Sequence, residues 1–211
     1  MQPIPDFTLE DKLSNKGFSC IAGVDEVGRG SWAGPVVAAA VVFCKKKWPK
    51  IINMGLNDSK KLSPKRREGL FDIIQNNADV GIGLASVKEI DQINILQATF
   101  LAMDRALENL SITPNYILID GDKVPPIKYQ AEAIVKGDGR SISIGAASII
   151  AKVTRDKLMI KLGLKFSSYA WEHNMGYGTK KHRAGLERFG VTEHHRKSYK
   201  PIINILKLHN S

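Results

Sequence analysis

The chain of 211 residues is 43% hydrophobic and 25% charged, which is ordinary for one main globular domain and excludes a low-complexity protein. The apolar run at residues 34–43 is too short to span a bilayer, and the N-terminus lacks the basic start and apolar core of a secretion signal. We therefore expect a cytoplasmic protein that does not enter a membrane. The formal net charge of +10 favours a polyanionic partner, because basic side chains that bind phosphates release counterions.

Basic residues cluster in two stretches of the chain. Residues 45–67 contain nine Lys or Arg residues and one acid, and residues 173–211 contain eight Lys or Arg residues and two acids. Charge runs are usually solvated surface, so alone they indicate only a partner of opposite charge. Their extent exceeds what a small phosphorylated substrate requires, which favours a nucleic acid.

Three apolar segments in the first 90 residues predict strands. Residues 18–24 and 35–43 are typical of buried strands, and residues 80–86 alternate as a third strand that completes a meander with the first two. Ser63 and Pro64 predict the cap and the first position of a helix that extends to Asn76. A longer helix is predicted over residues 96–110, where apolar residues recur at three- and four-residue steps.

The second half of the chain alternates strands and helices. Residues 116–121 form an apolar run that ends in an acid, which is the pattern of a central strand, and residues 130–135 predict another strand. A helix rich in small residues follows over residues 143–162. Beyond it, about residues 164–211 are predicted to form a helical, substrate-binding extension of the same domain. The pattern indicates an α/β fold with a central sheet flanked by helices.

The run Gly-Val-Asp-Glu-Val-Gly-Arg-Gly at residues 23–30 carries the strongest chemical signal. Asp25 and Glu26 follow the first predicted strand and could hold hard divalent cations through oxygen. Arg29 lies between two glycines whose backbone amides suit a phosphate. An Asp-Glu pair after a strand is usually a solvated turn. The apolar runs on both sides favour the functional interpretation, because carboxylates between core strands are costly unless a cation meets them.

Other acids are expected to join this pair. Asp120 ends a predicted strand, so its carboxylate meets Asp25 if the two strands are parallel neighbours. Asp138, in a glycine-flanked turn, is the predicted fourth acid, with Asp122 and Asp156 as rivals. Carboxylates this close together need divalent ions, and a pair of Mg²⁺ or Mn²⁺ ions suits phosphodiester hydrolysis. The five histidines show no zinc spacing and are expected to contact phosphate or to pack at the surface.

Taken in chain order, the motifs resemble those of the prokaryotic type 2 ribonucleases H, and most closely the ribonuclease HII family. The matching segments are DEVGRG at residues 25–30 with AGPVVAAA at 33–40 behind it, DSKKL at 58–62, LIDG at 118–121, KGD at 136–138, SIGAASIIAKVTRD at 143–156, GYGT at 176–179 and HRKSY at 195–199. The related ribonuclease HIII carries an additional N-terminal domain, for which the 24 residues before Asp25 leave no room. The resemblance therefore favours type HII.

The resemblance implies an RNase H-like fold with a central mixed sheet flanked by helices. It implies a metal-dependent endonuclease that cleaves RNA in RNA–DNA hybrids and cuts on the 5′ side of single ribonucleotides in duplex DNA, leaving 3′-hydroxyl and 5′-phosphate ends. Asp25, Glu26, Asp120 and Asp138 would be the catalytic acids and would bind two Mn²⁺ or Mg²⁺ ions. The expected partners are RNA–DNA hybrid and ribonucleotide-containing duplex DNA, and a monomer is expected.

The same resemblance implies two recognition elements. The turn formed by Gly28, Arg29 and Gly30 would contact the 2′-hydroxyl at the RNA–DNA junction, which is the group that distinguishes RNA from DNA. Tyr177 would stack on the adjacent deoxyribose. Further expected substrate-binding positions, as phosphate contacts or as packing residues, are Lys60, Lys61, Ser148, Lys152 and Arg196. The chain departs from the family pattern at Gly145, where alanine is usual, and at Ser31-Trp32, where Pro-Leu is frequent.

Two other functions fit parts of the sequence. A noncatalytic hybrid-binding module of the same fold would account for the basic clusters, but it would not need four acids. A metal-dependent phosphohydrolase of small phosphate esters would account for the acids, but it would not need the basic clusters.

Overall fold

A five-stranded mixed sheet forms the centre of the protein in a computed structural model that describes residues 5–52, 55–56 and 62–209. The sheet order is β3-β2-β1-β4-β5. The first three strands form an antiparallel meander, and β1, β4 and β5 run parallel to one another. The predicted meander is confirmed, and β1 and β4 are parallel neighbours, which was the condition for Asp25 and Asp120 to meet. The strands are β1 (Ile21–Val27), β2 (Val36–Val42), β3 (Asp79–Ala85), β4 (Tyr116–Asp120) and β5 (Ala131–Ile134).

Helices cover both faces of the sheet and continue beyond it. In the described ranges they are α1 (Thr8–Ser14), α2 (Trp48–Ile52), α3 (Pro64–Asn77), α4 (Val87–Glu108), α5 (Ile142–Lys165), α6 (Trp171–Asn174), α7 (Lys180–Phe189) and α8 (Lys200–His209). Short 3₁₀ segments occur at Lys45–Lys47, Gly137–Gly139 and Ser167–Tyr169. The predicted start of α3 is confirmed, because the Ser63 side chain accepts a hydrogen bond from the backbone N–H of Arg66. No helix in these ranges is long and apolar enough to cross a membrane.

The side chains of β2 alternate between two hydrophobic cores, one on each face of the sheet. Ala39 and Val41 pack with residues of α3 and α5, whereas Ala38 and Ala40 pack with residues of α4. All seven residues of β2 are buried, as expected for a strand covered on both faces. On β1, Val24 packs on the α4 side, so its neighbours in the strand point toward α5.

Strand β1 begins and ends three residues later than the sequence indicated. It continues through Val27, so Asp25 and Glu26 lie within the strand and not after it. The reason is its antiparallel partner: Asp25 pairs with Ala39 and Glu26 pairs with Ala38 in the continuous ladder to β2. The two acids therefore belong to a rigid element and not to a solvated turn.

Helix α4 begins nine residues earlier than predicted. Its first turn carries a capping box, in which Ser86 and Glu89 bond to each other's backbone N–H groups. Asn94 then interrupts the helix with left-handed backbone angles (φ 65°, ψ 166°), and its side chain accepts bonds from the N–H groups of Leu96 and Gln97. The predicted start at Leu96 thus marks the second of two helical segments.

The start of α5 is fixed against β1 and the N-terminal region. A Cβ on Gly23 would overlap the backbone of Ser143, so glycine lets the helix lie directly on the strand. The side chain of Ser141 caps the helix by accepting from the N–H of Ile144. The buried carboxylate of Glu10 accepts bonds from the Ser141 hydroxyl (2.6 Å) and the Ser143 N–H (3.0 Å), and burial raises its pKa.

The C-terminal helices have a hydrophobic cluster of their own. Trp171, Leu186 and Ile202, which are fully buried, pack with Met159 of α5 and with Ala33 from the loop after β1. This region therefore packs against the loop that leaves the site strand. Its role as a substrate-binding extension stays a prediction.

Candidate active site

Asp25 and Asp120 leave the paired part of two parallel strands at the same point. Val24 of β1 is in register with Ile119 of β4, which is the last pair of that ladder. The next residue on each strand is an aspartate, and Asp120 is the final residue of β4. The sequence prediction that these acids come together through parallel neighbours is thus met by the observed sheet.

Asp25 is a buried carboxylate on the α5 side of the sheet. Its side chain is held by a hydrogen bond from Ser148 of α5 and by the N–H of Glu26, which donates to Oδ1 over 2.7 Å. Only 5% of the residue is exposed. Burial, together with the negative charges of Glu26 and Asp120, raises the pKa of Asp25 well above its ordinary value.

Glu26 opens instead into a cleft on the α4 side. This cleft, of about 200 Å³, is lined by Glu26, Arg29, Asp120 and Asp122 and by residues of the second segment of α4. Nη1 of Arg29 lies 3.4 Å from Oε1 of Glu26. Burial nevertheless raises the pKa of Glu26, and the charge of Asp120 adds to the rise while Arg29 opposes it.

Asp138 follows directly on a residue that is bonded to Asp120. The N–H of Gly137 donates to Oδ1 of Asp120 over 2.7 Å, and Asp138, 7% exposed, is the next residue of the 3₁₀ segment. A Cβ on Gly145 would lie 2.9 Å from the carbonyl oxygen of Asp138. Glycine at position 145 therefore lets α5 lie close to the turn that carries this acid.

The side chains that converge at this edge of the sheet supply carboxylate oxygens. Asp25, Glu26 and Asp120 are close enough for their charges to interact, and two of them lie in surroundings that penalise negative charge. Carboxylate oxygens are the ligands that Mg²⁺ and Mn²⁺ prefer. Across residues 5–52, 55–56 and 62–209, however, no group of three or more His, Cys, Asp or Glu side chains is arranged so that it could hold a metal ion.

The turn after β1 rests on a buried arginine that the sequence analysis missed. Gly28 has φ +96° and would overlap the Arg155 side chain if it carried a Cβ. The Arg155 guanidinium donates to the carbonyl oxygens of Pro35, Met175 and Ala33 at 2.9, 2.9 and 3.1 Å. Burial lowers the pKa of Arg155 to about 10, and the charge of the neighbouring Arg196 adds to the effect.

Tyr177 lies beside this turn. A Cβ on Gly30 would be 3.8 Å from the Cε1 atom of Tyr177, and Tyr177 is 40% exposed. The preceding residues, Met175 and Gly176, have left-handed φ values of 51° and 81°, and the N–H of Trp32 donates to the carbonyl of Gly176 over 2.8 Å. The two predicted recognition elements are therefore neighbours, joined by backbone hydrogen bonds.

The remaining predicted substrate contacts differ in outcome. Arg196 is fully buried and donates to the carbonyl oxygens of Gly34 and Arg29, so a phosphate contact is wrong for this residue and the packing alternative holds. Ser148 is also buried and bonds to Asp25, which makes it a support for the acid and not a phosphate ligand. Lys60 and Lys61 lie outside the described residues.

Lys152 and the two rival acids are also located by the structure. Lys152 forms an ion pair of 2.9 Å with Asp156 one turn further along α5. Asp156 is thereby explained as half of a helical ion pair. Asp122 lines the same cleft as Glu26.

Comparison with known proteins decides the family. The family model described as Ribonuclease HII matches residues 22–202. A Ribonuclease HII of the Wolbachia strain from Brugia malayi is 55% identical over 203 residues, covering 96% of this chain and 97% of the relative. The chain belongs to the ribonuclease HII family. It is accordingly an endoribonuclease of the ribonuclease H class, a hydrolase that acts on RNA–DNA hybrids.

Solved structures of this family and of its relatives share the fold. Ribonuclease H2 from Pyrococcus horikoshii OT3 superposes with a TM-score of 0.77 at 30% identity, covering 91% of this chain and 99% of that chain. Bst-RNase HIII in complex with Mn²⁺ superposes with a TM-score of 0.72 at 19% identity, covering 90% of this chain and 70% of that chain. The expected RNase H-like fold is therefore confirmed.

Proposed function

We propose that this enzyme is metal-dependent and cleaves the phosphodiester bond on the 5′ side of a ribonucleotide, both in RNA–DNA hybrids and at single ribonucleotides in duplex DNA. The products are a 3′-hydroxyl and a 5′-phosphate. The observation that carries the proposal is the group of interacting carboxylates of Asp25, Glu26 and Asp120 at the edge of β1 and β4.

Two Mn²⁺ or Mg²⁺ ions would be held by Asp25, Glu26, Asp120 and Asp138. Their carboxylates offer the oxygen ligands that these ions prefer, and the ions would neutralise the negative charges that lie close together. Bst-RNase HIII, which has the same fold, has been solved as a complex with Mn²⁺, so manganese is the first ion to test. Bound ions supply Lewis acidity, which activates the attacking water and stabilises the leaving 3′-oxygen.

The chain's own residues orient the substrate and the acids. Ser148 fixes the carboxylate of Asp25 through its hydroxyl, and the N–H of Gly137 fixes that of Asp120. The turn at residues 28–30 and the ring of Tyr177 would bind the ribonucleotide and the adjacent deoxyribose at the junction. Lys152 and the basic surface would contact the phosphate backbone of the duplex.

A cleavage assay on defined duplexes tests the proposal. The substrates are a DNA duplex with one ribonucleotide, an RNA–DNA hybrid and an all-DNA control, each incubated with Mn²⁺, Mg²⁺ or chelator, and the ends are mapped. We expect metal-dependent incision 5′ of the ribonucleotide and an intact all-DNA control. Tight binding without incision under every metal would instead indicate a noncatalytic binding module.

Two variants connect the activity to the site. Asp120→Asn should abolish turnover while it spares duplex binding, because the substitution removes a metal ligand and leaves the basic surface intact. Near-normal cleavage by this variant would remove Asp120 from the metal site. Tyr177→Ala should mainly weaken the preference for a single embedded ribonucleotide, and an unchanged preference would contradict the role of this ring.

A further inference from the structure

Two fully buried histidines lie behind the loop that carries Tyr177. Nε2 of His182, in α7, is 3.0 Å from Nε2 of His195, and neither residue is exposed. The sequence analysis found no metal spacing among the histidines, and the metal site uses none of them. Their burial also contradicts a role in phosphate contact or on the surface. The pair therefore needs another explanation.

The hydrogen-bond partners assign one tautomer to each ring. Nδ1 of His182 is 3.0 Å from the carbonyl oxygen of Tyr177, which only accepts, so this nitrogen carries the proton. Nε2 of His182 then accepts, from the indole N–H of Trp171 (3.1 Å) and from His195. On His195, Nδ1 accepts from the backbone N–H of Thr192 (2.9 Å), so the proton is on Nε2 and points at His182.

Both rings are uncharged at neutral pH. Burial lowers the pKa of His182, and burial with the charges of His182 and His194 lowers the pKa of His195 to about 3. The hydrogen bonds from Thr192 through the two imidazoles to the carbonyl of Tyr177 are therefore made by neutral rings with one N–H each. They connect the Tyr177 loop to the segment that contains His195.

The residue after His195, Arg196, is bonded to the other recognition element, the Gly28–Gly30 turn. Nη1 of Arg196 donates to the carbonyl oxygen of Arg29 over 2.8 Å, and its Nε and Nη2 donate to Gly34. The hydroxyl of Tyr199 donates to the same Arg29 oxygen over 2.6 Å. Adjacent residues thus reach the Tyr177 loop on one side and the Gly28–Gly30 turn on the other.

We propose that His195 and Arg196, with His182 as the connecting ring, are positioning residues that fix Tyr177 relative to the Gly28–Gly30 turn and so determine the preference for a single ribonucleotide. The inference rests on the proposed function, in which the turn and Tyr177 read the junction together. None of the three side chains touches the substrate. They act through the carbonyl oxygens of Tyr177 and Arg29.

The test uses amide side chains that mimic one imidazole nitrogen each. His182→Asn places a donor where Nδ1 lies and keeps the bond to Tyr177, whereas His182→Gln places its amide at Nε2 and loses that bond. We expect His182→Gln to lower the ratio of kcat/KM on the single-ribonucleotide duplex to that on the long hybrid by about 10-fold, since a misplacement of about 1 Å can cost 10²-fold. His182→Asn should lower the ratio as well, because its shorter amide does not reach the position of Nε2 and leaves the N–H of His195 without its acceptor.

His195 offers the mirror experiment. His195→Gln keeps a donor toward His182, so the ratio of the two kcat/KM values should stay unchanged. His195→Asn lacks that donor, so the ratio should fall. His173→Gln is the control, because this histidine is in neighbouring α6 with 75% of its side chain exposed. A merely structural role would lower activity on both substrates equally, in proportion to the folded fraction.

The outcomes separate this inference from the proposed function. If Tyr177→Ala loses the preference and His182→Gln keeps it, only the positioning role is overturned. If Tyr177→Ala keeps the preference, the role proposed for this ring fails and the inference fails with it, whereas metal-dependent incision is tested separately by the cleavage assay. Nitrogen-15 NMR of the imidazoles in the unmodified protein tests the same point if a variant does not fold: we expect Nδ1–H on His182 and Nε2–H on His195, and Nε2–H on His182 would overturn the inference.

Discussion

The guanidinium of Arg155 fills the space in which Gly28 would carry a side chain. The turn after β1 therefore depends on two features, the positive φ of Gly28 and the buried guanidinium of Arg155 beneath it. That cation is bound by three carbonyl oxygens from the loops at residues 33–35 and 175. The position of the turn is thus determined by tertiary contacts and not by its own sequence alone.

Gly28→Ala should destabilise the fold. The left-handed φ costs about 1–2 kcal/mol for alanine, and the methyl group must also displace Arg155. We expect a fall in Tm of more than about 4 °C, measured by thermal unfolding of the metal-free protein. Gly30→Ala is the matched comparison, because a Cβ there meets nothing closer than 3.8 Å; it should keep the Tm within about 2 °C. Equal losses in the two variants would contradict the contact with Arg155.

Ser148→Ala should weaken metal binding without removing any acid. The variant leaves the Asp25 carboxylate without the hydroxyl that orients it, and the loss of such a support typically costs 10–100-fold in metal affinity. Titration of cleavage activity with Mn²⁺ should show a higher half-saturating concentration and recovery at excess metal. Thr154→Val on the same helix is the control, because its buried hydroxyl has no hydrogen-bond partner among the residues that the structure describes. An unchanged metal titration for Ser148→Ala would argue against the support role.

Arg196→Lys separates packing from phosphate contact. Lysine keeps the charge but cannot reproduce the fork of bonds to Gly34 and Arg29. We expect a loss of roughly 2–4 kcal/mol in the free energy of unfolding and an unchanged salt dependence of duplex binding. If Arg196 contacted a phosphate, Arg196→Lys would have near-normal stability. Arg196→Gln would then reduce by about 1 the slope of the logarithm of the duplex-binding constant against the logarithm of the salt concentration.

Glu10→Gln should change how stability depends on pH. Burial raises the folded-state pKa of Glu10 above its ordinary value of 4.5, so the folded protein binds the proton more tightly than the unfolded chain does. This contribution to stability is complete below about pH 4.5 and is lost as the pH rises through the folded pKa. The Tm of Glu10→Gln minus that of the unmodified protein should therefore be larger at pH 8 than at pH 4.5, and a constant difference would contradict the shift.

The acids and the sheet were predictable because their signals are local. The apolar runs before Asp25 and Asp120 identified β1 and β4, and parallel pairing follows once helical segments separate them. The start of α4 was not recognised, since the capping box of Ser86 and Glu89 precedes the apolar stripe and Asn94 breaks the helical phase. Periodicity alone reports only the segment after that break.

The buried cations and histidines could not be predicted from local pattern. Arg155 lies in a helical stretch with Lys152 and Lys157, which is typical of a solvated face. Its burial depends on carbonyl groups 20 and 120 residues away in sequence. His182 and His195 likewise meet only after the C-terminal helices fold back. A signal was nevertheless present, because a Gly-x-Gly turn that needs support implies some buried partner nearby.

Helix α5 connects the proposed metal site with the turn after β1. Ser148 bonds to Asp25 and Arg155 lies beneath the turn, and these two residues are seven positions apart, which corresponds to about 10.5 Å along the axis. One inserted residue between them would rotate the second contact by about 100° relative to the first. Under the proposed function, the distance between the nucleotide that is recognised and the bond that is cut would be set by this one helix, and a shift of the cutting position would require changes in α5.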